Sequence, residues 1–170
     1  PSCYEFALDY VVTKIPRFAF EKFPGSKDLL STQMKSVGEV MGIGRTLQES
    51  MMKALHSLEN HPEGLPDIVC EPEKVSFPNS RRIFHLFQAI RDGQSVADLE
   101  ALTRIHPYFL EKLEDVVRME NKVRDAKDLD QELLLKAKRM GLSDARIGKL
   151  RGKTENEIRE LRLKWNLRPS

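Results

Sequence analysis

At 170 residues and 19.6 kDa the chain is long enough for one ordinary hydrophobic core, and 40% hydrophobic with 32% charged residues fits a globular protein. No apolar run approaches the ~18 residues of a membrane-spanning helix, and the N-terminus lacks the basic-then-apolar order of a secretory leader. A net charge of +2 is too small to imply a nucleic-acid partner by itself.

From residue 4 to residue 20, apolar and polar side chains alternate around Tyr10, Val11, Val12, Ile15, Phe18 and Phe20, which predicts one or two short strands. Pro16 cannot donate a ladder hydrogen bond, so an edge position is expected. Pro24-Gly25-Ser26 predicts the turn, and Ser31 to Gly44 is expected to return beside the first strand and close in a glycine turn at Gly42-Ile43-Gly44. Thr46 and Glu49 then form a T-x-x-E capping box ahead of Leu47, Met51, Ala54, Leu55 and Leu58 at helical spacing, so a helix starts at about Thr46. Between His61 and Asn79, Pro62, Gly64, Pro66, Pro72 and Pro78 interrupt any periodicity, and the stretch reads as a linker.

Beyond Ser80 the pattern is helical and repeats. A shift of 48 positions lays Leu86, Phe87, Ala89, Arg91, Gly93, Ser95, Leu99, Leu102, Leu110 and Leu113 onto Leu134, Leu135, Ala137, Arg139, Gly141, Ser143, Ile147, Leu150, Ile158 and Leu161. Each unit is expected to hold three helices. Gly93 or Gly141 ends the first, Ser95 or Ser143 caps a short second, and the third begins near Pro107 or Glu155, the latter behind a Thr154/Glu157 capping box. The residues expected in the core are Ile83, Leu86, Phe87, Ile90, Leu99, Leu102, Ile105, Phe109, Leu110, Leu113, Val116, Val117, Leu134, Leu135, Ile147, Leu150, Ile158, Leu161 and Trp165.

Candidate chemistry is sparse. Cys3 and Cys70 make no ligand or disulfide framework, and His56, His61, His85 and His106 are scattered, so reduced thiols and no metal site are expected. Gly42-Ile43-Gly44-Arg45-Thr46 places glycines, an arginine and a helix start together, an arrangement that can hold an anion, but its spacing is neither a Walker A nor a dinucleotide motif and a plain turn is preferred. Lys14, Arg17, Lys35, Glu39 and Arg45 are expected to form an ion-pair lattice around the strands rather than a nucleotide site. Lys136 to Arg168 holds 11 basic residues against 4 acidic ones. With helix-turn-helix spacing, that excess raises a nucleic-acid-binding alternative in which Arg146, Lys149, Arg151, Lys153, Arg159 and Arg162 face phosphates. Glu155, Glu157 and Glu160 among them weigh against it, being better suited to pair with arginines on a solvated helix.

The segments DYVVTKIPRFAFEKFPG (Asp9 to Gly25) and STQMKSVGEVMGIGRT (Ser31 to Thr46), in this order before a helix, closely resemble the end of the first ATP-grasp synthetase unit of the carbamoyl phosphate synthase large subunit. The helical remainder is similar to that family's oligomerisation domain. The resemblance implies a mainly α fold: a short β-containing tail of the ATP-grasp domain over residues 1–60, a linker over 61–79, and a helical oligomerisation domain of two three-helix units over 80–170. Pro1 at the start and Pro169-Ser170 at the end fit an internal piece of a longer chain.

For the parent, the resemblance implies a cytoplasmic ligase. It makes carbamoyl phosphate from bicarbonate, glutamine-derived ammonia and two ATP, with Mg²⁺ or Mn²⁺ and K⁺, for pyrimidine and arginine synthesis. The implied partners are the rest of the large subunit, a glutaminase subunit or domain, and further copies in a homo-oligomer; neither nucleic acid nor a membrane is implied. The family's ATP- and metal-gripping residues lie upstream of the matched segment, so no catalytic, cofactor-binding or metal-binding residue is carried onto this chain. It is expected to be inactive alone, serving as spacer and assembly domain. Two departures stand out: His106 replaces the family's usual capping Asp, and Asn60 to Asn79 is less similar than its flanks. Residues 1–60, without the rest of an ATP-grasp fold, are expected to fray or to pack on a neighbouring copy.

Overall fold

The computed structural model describes residues 9–18, 20, 25, 27–32, 34–58 and 65–167. Two strands, β1 (Val11–Phe18) and β2 (Ser36–Gly44), pair antiparallel, with Val12 opposite Ile43, Lys14 opposite Met41 and Pro16 opposite Glu39. In a two-stranded sheet both strands are edges, which accommodates Pro16. Gly25 has a φ of +83° in the connection; Cys3, Pro24, Ser26 and His61 lie outside the described residues.

Gly42 and Gly44 are strand residues, not the expected closing turn. They face α1 (Leu47–His56), which crosses the inner face of the hairpin. A Cβ on Gly42 would overlap the Ser50 carbonyl oxygen and stand 2.6 Å from the Ala54 amide nitrogen, and one on Gly44 would stand 2.6 Å from the Ser50 nitrogen. The glycines therefore let helix and sheet approach backbone to backbone. Thr13 Oγ1 and Ser50 Oγ share a 2.7 Å hydrogen bond across the same contact.

The opposite side of α1 buries Met51, Met52 and Leu55 in the core shared with the helices that follow. Its Met52 lies over Gly141, where a Cβ would come within 2.6 Å of the Met52 Cβ. Gln48 Nε2 donates to Asp115 Oδ2 at 3.0 Å. Residues 65–79, the described part of the stretch read as a linker, are anchored too. Leu65 and Val75 are fully buried, and Pro72 opens a five-residue helix, α2 (Pro72–Ser76). The side chain of Arg82 holds the end of α2, donating to the carbonyls of Val75 and Ser76 at 2.8 and 2.9 Å.

The remainder is helical as two successive triplets. The first comprises α3 (Arg82–Arg91), α4 (Val96–Thr103) and α5 (Pro107–Asp125); the second, α6 (Gln131–Arg139), α7 (Asp144–Arg151) and α8 (Glu155–Lys164). Their junctions repeat at the 48-residue shift. Gly93 and Gly141 take φ of +93° and +95°, and each is followed by the bond that closes a Schellman turn, Gln94 N–H to Ala89 O at 3.0 Å and Leu142 N–H to Ala137 O at 3.1 Å. Ser95 and Ser143 cap α4 and α7. Arg104 and Gly152 both occupy the left-handed region, at φ of 60° and 63°. His106 then caps α5 through Nδ1, which accepts from the Tyr108 amide at 3.2 Å, at the place where Thr154 and Glu157 form a full capping box on α8.

The core follows the expected stripe, with two corrections. Leu102 and Phe109, expected inside, are exposed, Phe109 by 51%. On α5 the inward stripe is Leu110, Leu113, Val116, Val117, Glu120 and Val123, and Phe109 lies about 100° around the helix from Leu110. On α4, Leu99 and Thr103 form the buried i, i+4 pair and Leu102 falls beside it.

The glycine contact gives a direct prediction. Gly42→Ala should destabilise the chain by about 1–3 kcal/mol, the usual cost of overpacking, read as a lower urea midpoint by circular dichroism. Gly38→Ala, with open space around it, serves as the control.

Candidate functional site

The glycine-arginine segment before α1 offers no free anion cradle. The Glu49 amide donates to Thr46 Oγ1 at 3.2 Å, and the Glu49 carboxylate bends back to accept from the Arg45 amide at 2.8 Å, one residue further upstream than a standard capping box. That carboxylate is buried and also pairs with Lys53 at 2.7 Å. The chain's own acid thus occupies the positive end of α1. Of the expected lattice around the strands, Lys14 and Glu39 do pair, at 2.6 Å, whereas Lys35 Nζ donates to the Leu29 carbonyl at 2.7 Å.

Of the six basic residues offered to phosphates, Arg146, Arg151 and Arg162 turn inward, while Lys149, Lys153 and Arg159 are exposed. Arg146 is 1% exposed and donates through Nε to Glu120 Oε1 at 2.7 Å and through Nη1 to Asp67 Oδ1 at 2.9 Å. Arg151 donates to the carbonyls of Val123, Arg124, Ala126 and Lys127, covering the C-terminal end of α5. Arg162 donates through Nε and Nη2 to Asp144 Oδ2 at 3.1 and 3.0 Å, joining α8 to α7. Lys149 pairs with Asp67 at 3.0 Å, and Lys153 lies 3.7 Å from Glu157. Arg146, Arg151 and Arg162 therefore hold internal acceptors instead of presenting a phosphate-binding face, and the nucleic-acid alternative finds no support in this geometry.

Glu120 is the hub of these contacts. It is 0% exposed on the inward stripe of α5, and both carboxylate oxygens are engaged. Arg91, at the end of α3, donates to Oε2 through Nε at 2.8 Å and to Oε1 through Nη2 at 3.0 Å, while Arg146 of α7 shares Oε1. Arg91 Nη1 also donates to the Pro66 carbonyl at 3.1 Å. One carboxylate thereby joins both helical units to the segment before α2. Burial alone would raise the Asp67 carboxyl, but the bonds and charges of Lys149 and Arg146 outweigh it and hold the group below the usual carboxylate range. Burial lowers the Arg146 guanidinium, and Glu120 and Asp67 more than reverse that. Asp144 repeats the Asp67 pattern, with burial overcome by Lys138 and Arg162.

The sequence reading did not single out Glu120. Its signal was position, three or four residues from Val116, Val117 and Val123 on the buried stripe.

A second buried polar group sits between α3 and the start of α2. His85 Nδ1 accepts from the Glu71 amide at 3.3 Å, Nε2 is buried with no partner among the described residues, and the His85 carbonyl receives the Cys70 thiol at 3.7 Å. Burial pushes the imidazole below its ordinary value of 6.5, so it is neutral at physiological pH. The Cys70 thiol is raised by burial, with the nearby Asp92 and Glu71 charges adding to it.

Among the described residues, two apolar faces are exposed. The outer face of the hairpin shows Tyr10, Val12, Met41 and Ile43, the last two 61% and 56% exposed. The first turn of α5 shows Tyr108 and Phe109, rings in edge contact at 5.4 Å. The second unit builds the same turn with Asn156 and Glu157. Since those polar residues satisfy the same local fold, the aromatics at 108 and 109 are not needed for it.

The family model for the carbamoyl-phosphate synthetase large chain, oligomerisation domain, matches residues 39–166. The chain is 43% identical over 169 residues to the carbamoyl phosphate synthase large chain of Methanothermobacter thermautotrophicus, covering 99% of this chain and 16% of that one. It is 47% identical over 183 residues to the namesake of Pseudomonas aeruginosa and 46% over 180 residues to that of Vibrio cholerae, covering 99% of this chain and 17% of each relative. The chain thus spans about a sixth of the length of the curated relatives it matches.

The His85 environment sets a pH dependence. Its lowered folded-state pKa means that the unfolded chain binds the extra proton first, so stability is complete above about pH 6.5 and falls as pH drops below it. The slope should approach, at most, ~1.4 kcal/mol per pH unit. Urea midpoints measured from pH 7.5 to 5 should show this decline, and His85→Asn, which keeps an acceptor but cannot titrate, should flatten it.

Proposed function

We propose a spacer and subunit-assembly role for this chain, which belongs to the carbamoyl-phosphate synthetase large-chain oligomerisation domain family. Its parent is a ligase that makes carbamoyl phosphate from bicarbonate, glutamine-derived ammonia and two ATP, using Mg²⁺ or Mn²⁺ and K⁺, for pyrimidine and arginine synthesis in the cytoplasm. ATP and the metal ions are held elsewhere in that parent, and the present chain contributes none of the catalytic groups.

The observation that carries the spacer reading is the way α1 is held on two sides. Its glycine-lined contact fixes it to the hairpin, while Met51, Met52 and Leu55 fix it to the six-helix body. A displacement of the hairpin is thereby transmitted to the helices through packed backbone. In this reading residues 1–60 are the trailing edge of an ATP-grasp unit, residues 61–79 connect it to the assembly domain, and residues 80–170 form that domain. The uncovered outer face of the hairpin suits a further layer contributed by the rest of the large subunit.

Assembly with further copies fits the open aromatic turn at Tyr108 and Phe109. The glutaminase subunit or domain is the remaining partner of the parent. No helix of the described residues is long and apolar enough to cross a membrane.

Sedimentation of the 170-residue chain across a concentration series tests the assembly role. A reversible dimer or larger species is expected. Phe109→Glu, which copies the residue that the second helical unit carries at this place, should weaken association by about tenfold or more, as for loss of a buried aromatic anchor. A strict monomer at every concentration would overturn self-assembly through this chain alone.

A further inference from the structure

The chain leading into α3 is anchored at two places and pinned at one point between them. At the first anchor Leu65 is fully buried, Arg91 Nη1 donates to the Pro66 carbonyl at 3.1 Å, and Arg146 Nη1 holds Asp67 at 2.9 Å. At the second, Val75 is fully buried and Arg82 donates to the Val75 and Ser76 carbonyls. Residues 68–74 span the interval, and none of them is fully buried. Their hydrogen bonds to α3 both end on His85, from the Glu71 amide to Nδ1 and from the Cys70 thiol to the carbonyl. A partly exposed segment between two anchors, held down at a single residue, can open locally while the rest of a fold stays closed.

The pin is titratable, and it is 2% exposed. The Glu71 N–H fixes Nδ1 as the acceptor of a neutral ring, so the ring's own hydrogen sits on Nε2, which has no partner among the described residues. A protonated imidazole donates at both nitrogens. Nδ1–H would then face the Glu71 N–H, donor against donor, and Nε2–H would still lack an acceptor. The surrounding charges do not rescue that cation. Burial acts most strongly against it; the Glu71 carboxylate favours it but is already paired with Lys74 at 2.7 Å, and Lys74 and Arg81 oppose it. On α5, which packs against α3, the inward charge is Glu120, engaged by Arg91 and Arg146.

We infer that residues 68–74 form a lid latched by the neutral His85 ring, and that protonation of the ring releases the lid while the six-helix body stays folded. Water reaching the opened ring satisfies both N–H groups, which the closed site cannot do. Opening slackens the chain between α1 and α3. The lid stays closed above about pH 6.5, the ordinary imidazole value, and below it the open population grows by up to about tenfold per pH unit. Glu71 and Asp67 titrate below that window. The Lys74 hydrogen bond lowers the Glu71 carboxyl, and at Asp67 burial is outweighed by Lys149 and Arg146.

Hydrogen–deuterium exchange of the 170-residue chain at pH 7.5 and 5.5 tests the lid, read as protection factors that correct for the intrinsic pH dependence of exchange. Protection of the Glu71 and Lys74 amides should fall about tenfold between the two, while the amides of α5 keep theirs. His85→Asn, whose Oδ1 can accept the Glu71 amide but cannot titrate, should remove the fall; if that variant does not fold, the unaltered chain decides. Unchanged protection at Glu71 and Lys74 in the unaltered chain would overturn the proposal. So would an equal loss across α5, which would make the event global unfolding, or a fall that persists in folded His85→Asn, which would assign it to another group.

Discussion

The arrangement depends on one buried carboxylate. Glu120 has no contact with solvent, and a bare charge in that position would be strongly unfavourable. Arg91 and Arg146 neutralise it from opposite units, and Asp67 and Lys149 extend the lattice to the surface. The consequence is geometric. Both guanidiniums must approach the same carboxylate, so α3, α5 and α7 cannot shift relative to one another without breaking buried charge-assisted bonds. The hydrophobic stripe around Glu120 accepts many slightly different packings, while the ion lattice accepts far fewer.

The hairpin is coupled to this body by a different device. Gly42 and Gly44 remove side chains where α1 lies on β2, and the other face of α1 enters the common core beside the Gly141 turn. Backbone contact on one side and methionine and leucine packing on the other leave α1 little freedom. In the proposed spacer role, that stiffness is the functional property.

Much of the architecture was legible in the sequence because it is locally determined. The caps at Thr46, Ser95, Ser143 and Thr154, the left-handed glycines at 93 and 141, and the 48-residue repeat all follow from neighbouring residues, and the helices begin and end where those signals stand. Longer-range choices were hidden. Arg146 looks like a surface cation until Glu120 is brought to it across 26 positions. Leu65 and Val75 are single anchors among prolines, with no periodicity to announce them. Gly42 and Gly44 resemble a turn because a glycine's sequence signature is the same whether it supplies an unusual φ or merely makes room. Phe109 was misplaced for the reverse reason: composition says apolar, and only the phase of α5 shows that it faces out.

The ion lattice is tested most directly by removing the charge of Glu120 without its shape. Glu120→Gln leaves two guanidiniums facing a neutral amide in a buried site, and urea unfolding of that variant should show a loss of about 3–5 kcal/mol, as for a broken buried ion pair. A midpoint that moves by less than the ~0.5 kcal/mol typical of surface substitutions would contradict the account and leave apolar packing alone as the agent that holds the two helical units together.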